Sequence, residues 1–402
     1  MYIMAILDNK TVLTIQGKKY DVTTFSKFHP GGNIINFYNK LDATDVFHTF
    51  HSKSKKAFAI LKALPVLETK EYREEEDDFT KMIKKWNDAG LYKTNYYEFM
   101  IWGSVVCGIT LLGLYIQMLG YPIWGGLITG IGWTHCGFVQ HHAGHIGFTG
   151  NTKMDHFTQD LFEGLLKGGS GSWWRNRHNK HHAMPNSIGY DGDLRTTPFF
   201  AWDDVLVKKV PSYLLRMQHI LVFPMLVLYV PVFIVSTKLF MIRRKKKFEM
   251  FLVGLHFYLF SRFNRNTNHF VLFYCIGYAF QGLYLGLMFS INHMAMPRIA
   301  NISNDWFDRQ LISTCNWNTD CKISMYISGF LNLQIEHHIA PQMPPEHYYL
   351  IRKDIEELAK KKGIPYRKYT FWEGLYLFVK KLKDTADKEL LLRSRKIYYK
   401  KC

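Results

Sequence analysis

A chain of 402 residues with a formal charge of +18 at pH 7 is long enough for two or three domains and basic enough to invite a polyanionic partner. Its basic residues cluster beside apolar segments and form no aromatic-interleaved groove, which excludes nucleic acid and matches the cytoplasmic flank of a membrane protein. An aromatic content of 16% with a mean hydropathy of only −0.13 calls for membrane segments joined to a large soluble part. The N-terminus, MYIMAILDNKTVLTIQ, lacks the basic-then-apolar pattern of a secretory signal. The six cysteines (Cys107, Cys136, Cys275, Cys315, Cys321 and Cys402) form no CxxC pair and read as reduced packing thiols.

In chain order, residues 1–68 alternate short strand-like and helical pieces: TVLTIQGKKYDV is strand-like, with GKK as its turn. An acidic linker, ETKEYREEEDD, follows. FTKMIKKWNDAGLYKTN reads as an amphipathic helix stopped by Gly90 and lying along a membrane surface. Residues 69–97 are thus linker and interfacial helix, and residues 98–402 the membrane domain. Phe99–Leu119 and Tyr121–Val139 form a tight transmembrane hairpin, since about 20 apolar residues cross a bilayer. Three more apolar runs follow: Ile220–Thr237, Phe248–Phe260 and Phe270–Ile291. If the histidines before and after them meet on one side, an even number must cross. Pro224 and Pro231 interrupt the first run, and Arg243–Lys247 (RRKKK) anchors its end in the cytoplasm, so it is the run that dips or lies flat. Four crossings result. The C-terminal KKLKDTADKELLLRSRKIYYKK reads as a solvated helix with a basic tail. Trp173 and Trp174 read as an interfacial anchor.

Three histidine groups flank these segments. HHAGH places His141 and His145 four apart; RHNKHH places His178, His181 and His182 at i, i+3 and i+4; QIEHH repeats that pattern with Gln334, His337 and His338. On helices these positions share a face, so each group can aim several side chains at one point. Imidazole suits iron, zinc or copper. Seven histidines exceed one tetrahedral zinc, and no zincin signature is present, so the set suits two metals. His135, His219, His256 and His269 lie in or beside apolar runs and read as packing residues.

These boxes, with GLYKTN, LLKGGSGSWW, RHNKHHAMPN, INHMAMP and DWFDRQLISTCN in order, resemble the membrane fatty acid desaturases of the front-end type, which carry glutamine at the head of the third box. The resemblance covers nearly the whole chain. It implies a mainly helical, four-span membrane domain with a cytoplasmic di-metal cap. It implies two iron ions held by His141, His145, His178, His181, His182, His337 and His338, with Gln334 in or beside the shell. His293 of INHMAMP matches a further family histidine and is expected as an eighth ligand. His156 is expected behind the ligands at most. The family usually has HDxGH in the first box; His142 here replaces the Asp, and the expected effect is on tuning rather than ligation. Hydrogen removal from an unactivated CH2–CH2 requires O2 activated at such a centre, and two electrons.

The N-terminal segment answers that need. FHPGGNIINFY carries His29, Pro30, Gly31 and Gly32; DATDVFHTFHS carries His48 and His51. Two imidazoles opposed across a flat cofactor suit electron transfer, because no position is left for O2. HPGG followed by DATxxF and a histidine resembles cytochrome b5, a small α+β domain binding haem b. The resemblance implies His29 and His51 as axial ligands, with His48 the competitor for the second place, and Pro30, Gly31 and Gly32 in the haem pocket. Few residues precede VLTIQ, so the domain reads as clipped. The fusion implies an NADH-cytochrome b5 reductase as donor and a high effective concentration of the carrier. The expected activity is O2-dependent insertion of a cis double bond on the carboxyl side of an existing one, at delta-6 or delta-5, in a fatty acyl-CoA or phospholipid substrate. The expected site is the endoplasmic reticulum membrane, with histidine boxes and both termini cytoplasmic. A sphingoid-base desaturase shares the same boxes. A non-catalytic membrane haem carrier would need only residues 1–68 and one span.

Overall fold

The computed structural model describes residues 10–72, 77–194, 196, 200–299 and 305–401. The readings of the first nine residues, of the middle of the acidic linker (73–76) and of Cys402 lie outside the described residues.

Strands β1 (Val12–Ile15) and β2 (Lys18–Asp21) pair antiparallel, and β3 (Val66–Thr69) joins the far edge of β2. The turn works because Gln16 and Gly17 both take positive φ, 48° and 71°, which matches the twist of a two-residue hairpin. A 3-10 turn, Gly32–Tyr38, and helices α1 (Thr44–His51) and α2 (Lys55–Ala63) cover the sheet. Helix α3 (Asp78–Asp88) is capped by Asp77, whose carboxylate accepts from Thr80 N. Its apolar face does not lie against lipid: Phe79, Met82 and Trp86 are buried on protein. Phe79 meets the rings of Trp306 and Phe307, and Trp86 Nε1 donates to Asp354 at 2.7 Å.

Next comes the antiparallel pair α4 (Tyr96–Met118) and α5 (Pro122–Gly144). Small residues let it close: a Cβ on Gly132 would lie 2.4 Å from Thr110 Oγ1. Helices α6 (Thr152–Asp160) and α7 (Gly171–Ala183) turn across its end. Helices α8 (Ser212–Val227) and α9 (Tyr229–Arg243) meet at 55°, with Pro224 inside the first, so the proline-broken run is indeed bent. Helices α10 (Lys247–Arg262) and α11 (Thr267–His293) complete the apolar layer, and α11 packs on α5. Among the described residues, α4 and α11 are each long and apolar enough to cross a membrane, and the bent pair would be a third. The turns after α4 and after α10 lie side by side: Arg265 donates to the carbonyls of Met118 and Leu119, the latter at 2.6 Å.

The opposite end carries a polar cap of α12 (Trp306–Ser313), α13 (Lys322–Ile327), α14 (Gln334–Ile339) and α15 (Tyr348–Lys361). Strands β4 (Asn316–Trp317) and β5 (Lys368–Tyr369) pair parallel within it. The final helix, α16 (Phe371–Lys401), is not wholly solvated as expected; Phe378, Leu382 and Ala386 are buried, the first two in a cluster with Val222 and Leu226 of α8. Leu13, Val22, Tyr38 and Val46 of the N-terminal unit share one apolar core with Ala183, Trp306, Ile339 and Met343 of the cap. The two units are therefore welded rather than strung together.

Candidate metal centre

The C-terminal end of α5, one face of α7 and the short α14 converge under the cap. Donor nitrogens of His141, His145, His178, His182 and His337 all lie within 4.8 Å of one another, and those of His181, His293 and His338 form a second such group. All eight are buried. The groups abut, since the rings of His182 and His338 stack at 4.1 Å. The second box divides between them because His181 points off the face shared by His178 and His182.

The hydrogen-bond chemistry of this arrangement is incomplete without a cation. His178 Nε2 lies 2.8 Å from His141 Nε2 and 3.0 Å from His182 Nε2, which is itself 3.1 Å from His337 Nε2. One N–H can satisfy only one such contact. His145 Nε2 and His338 Nε2 are buried with no partner. Burial, and then the neighbouring imidazoles, hold His178, His182, His337 and His338 well below the ordinary imidazole range, so they are neutral, the form that ligates. His181 differs: against the burial that opposes charge, the Asp191 carboxylate raises its pKa. Converging neutral lone pairs in a dry pocket fit two metal ions.

Several outer nitrogens are held. Tyr348 OH lies 3.1 Å from His337 Nδ1, Gln310 Oε1 2.9 Å from His338 Nδ1, Asp191 2.8 Å from His181 Nδ1 and the Ser313 carbonyl 3.1 Å from His293 Nδ1. Such contacts fix tautomer and ring orientation. None was assigned a role from sequence, though Gln310 lies in the DWFDRQLISTCN motif. Gln334 Nε2 sits 2.9 Å from His293 Nε2, beside the second group. His142 and His156 belong to neither group; His142 Nε2 instead meets the Gly329 carbonyl at 2.9 Å. Trp174 is not an interfacial anchor. It is buried, and its ring lies 4.2 Å from His178 and 5.0 Å from His141, because its place one turn before His178 turns it inward. Trp173 packs on Phe233 at 4.6 Å.

In the N-terminal unit the rings of His29 and His51 face each other with centroids 6.2 Å apart. Each engages a backbone carbonyl through Nδ1, His29 with Gly32 at 3.2 Å and His51 with Phe47 at 3.0 Å. That leaves Nε2 as the nitrogen on each ring that could ligate. Burial lowers the pKa of His29 and brings that of His51 to about 4, so both are neutral near pH 7. His48 lies against Phe47 and Phe58 instead. The tight turn at Gly31 has no room for a side chain, since a Cβ there would lie 2.8 Å from the His29 ring. Two opposed neutral imidazoles, one from the loop before the 3-10 turn and one from the end of α1, fit a haem.

Comparison with known proteins agrees. The family described as "Fatty acid desaturase" matches residues 119–370, and "Cytochrome b5-like Heme/Steroid binding domain" matches residues 6–87. An acyl-lipid (8-3)-desaturase of Rebecca salina is 30% identical over 387 residues, covering 91% of this chain and 89% of its own length. A delta(8)-fatty-acid desaturase of Borago officinalis is 28% identical, covering 93% and 90%. The delta(6)-fatty-acid desaturase fat-3 of Caenorhabditis elegans is 27% identical, covering 90% and 93%.

Proposed function

The chain belongs to the fatty acid desaturase family, as a front-end desaturase fused to cytochrome b5, and we propose that His141, His145, His178, His182 and His337 hold one iron and His181, His293 and His338 the other. The observation that carries this is the two buried histidine groups with nitrogens that no hydrogen bond satisfies. Gln334 sits beside the second iron and meets His293 rather than acting as a required ligand. His29 and His51 are the haem ligands, and residues 1–68 with β3 form the haem domain.

The irons supply O2 activation; the chain's residues do the rest. They keep most of the imidazoles neutral, exclude water from the pocket and hold the rings of His181, His293, His337 and His338 by their outer nitrogens. Per double bond, one O2, two electrons and two protons are consumed, the CH2–CH2 unit loses two hydrogens, and two waters form. The electrons enter through the haem domain, with an NADH-cytochrome b5 reductase as their source. The protein is integral to the membrane. Four crossings by α4, α5, α10 and α11 are supported by the two neighbouring turns at the end remote from the histidines. We place that end in the lumen of the endoplasmic reticulum and the histidines on the cytoplasmic side, where the Arg243–Lys247 cluster also belongs. The new bond is delta-6 or delta-5.

Yeast expressing the chain and fed linoleate, then longer polyunsaturated acids, tests this. Fatty acid methyl esters should contain a new carboxyl-side double bond that is absent with His337→Ala. Unchanged profiles in cells holding the haem- and iron-loaded protein would refute the proposal.

A further inference from the structure

The chain that follows each histidine box is hydrogen-bonded to the haem domain. After the first box, the Ile146 carbonyl accepts from Lys53 Nζ at 3.4 Å. After the second, the Ala183 carbonyl accepts from Tyr38 OH at 2.5 Å. After the third, Gln342 makes three contacts. Its Nε2 donates to the Phe50 carbonyl at 2.8 Å, its Oε1 accepts from Ser52 Oγ at 3.0 Å, and its carbonyl accepts from Lys53 Nζ at 2.7 Å. Gln342 is 4% exposed, so its own amide is costly to leave unpaired, although Ser52 on the other side is open to solvent.

The latch closes on one residue. Phe50 immediately precedes His51, the inferred haem ligand, and its ring stands edge-on to His182, an inferred iron ligand, with centroids 6.4 Å apart at 90°. It is a side chain of the haem domain that touches a ring of the metal pocket. Resting on the assignment of haem and iron above, we propose that Phe50 is the bridge between the two redox sites, and that Gln342, Ser52 and Lys53 are positioning residues that hold it there. Each transfer oxidises the haem iron by one electron and reduces the metal pocket by one. Two transfers complete a turnover, and a flavoprotein reductase restores each electron. A carrier that swung on a flexible tether would need none of these contacts.

The test uses the full-length, haem- and iron-loaded protein in nanodiscs, without acyl substrate or O2. The haem is photoreduced by one electron, and its reoxidation by the ferric pocket is followed by absorbance. Phe50→Leu and Gln342→Ala should slow reoxidation by about tenfold or more, because small misplacements at a reacting pair carry large rate penalties. Haem spectrum and iron content should not change, and Phe50→Trp should retain the wild-type rate. If Phe50→Leu loses haem, Ser52→Ala decides instead, with slower reoxidation expected. Wild-type rates in the leucine and alanine variants would overturn the proposal. Failure of the wild-type protein to bind iron would refute the metal assignment instead, and iron-loaded wild type that leaves the haem reduced would overturn the bridge alone.

Discussion

Tyr348 shows how much of this site depends on side chains that touch no metal. Its hydroxyl lies 3.1 Å from His337 Nδ1 and is wholly buried. Tyr348→Phe should lower iron affinity about 10–100-fold, the usual cost of losing an outer hydrogen bond, as read by iron retained through chelator dialysis. His142 offers the contrast. His142→Ala loses a buried bond to Gly329 and should cost about 1–3 kcal/mol of stability, yet leave iron content unchanged, which paired melts and metal analysis would show. Asp45, at the seam between the units, is raised well above the usual carboxylate range by burial and then by the Asp77, Asp305 and Asp42 carboxylates. In the window above the ordinary value of 3.8 the folded state therefore holds more protons than the unfolded one, and stability falls as pH rises through it. Asp45→Asn should melt higher than wild type at pH 7, with the gain vanishing below the ordinary carboxylate range.

At the scale of elements, the apolar helices are held by close backbone approach. Gly126 of α5 would place a Cβ 2.7 Å from the Phe273 carbonyl of α11. Gly126→Leu must separate these helices and should destabilise by about 1–3 kcal/mol or prevent assembly, measured as lost thermal stability in detergent. Strong periodic signals were legible in the sequence. The α4–α5 pair and the proline-broken α8–α9 run appear where the residues put them, and so does the first hairpin, although its turn is Gln16–Gly17 rather than GKK, because Lys18 and Lys19 already pair in β2. The histidine spacing anticipated seven of the eight residues that converge, because i, i+3, i+4 geometry is local, whereas His293 was expected only from the resemblance of INHMAMP to a family motif. What was not legible depends on long-range packing. An amphipathic pattern says that a face is buried but not against what, so α3 was read onto a membrane whereas it covers Trp306 and Phe307. For the same reason one face of α16 was read as solvated and Trp174 as an anchor. Tyr348 and Gln310 carry no spacing relation to the histidines they hold, which lie 11 and 28 residues away.

At the scale of the whole molecule, the shared core makes the haem domain part of the enzyme's body. Removing residues 1–72 would uncover Ala183, Met184, Ile339 and Met343 beside the metal pocket. Such a truncation should melt lower than the full chain in the same detergent, whereas a loosely tethered carrier would leave the melting temperature unchanged. The proposed chemistry needs two metal sites and one haem in a single chain. Iron and haem quantified together in the purified protein measure that most directly. Two non-haem irons per haem should be found, with non-haem iron lost in His337→Ala and haem retained. One haem without non-haem iron in the wild-type chain would contradict the account and leave a membrane-bound electron carrier.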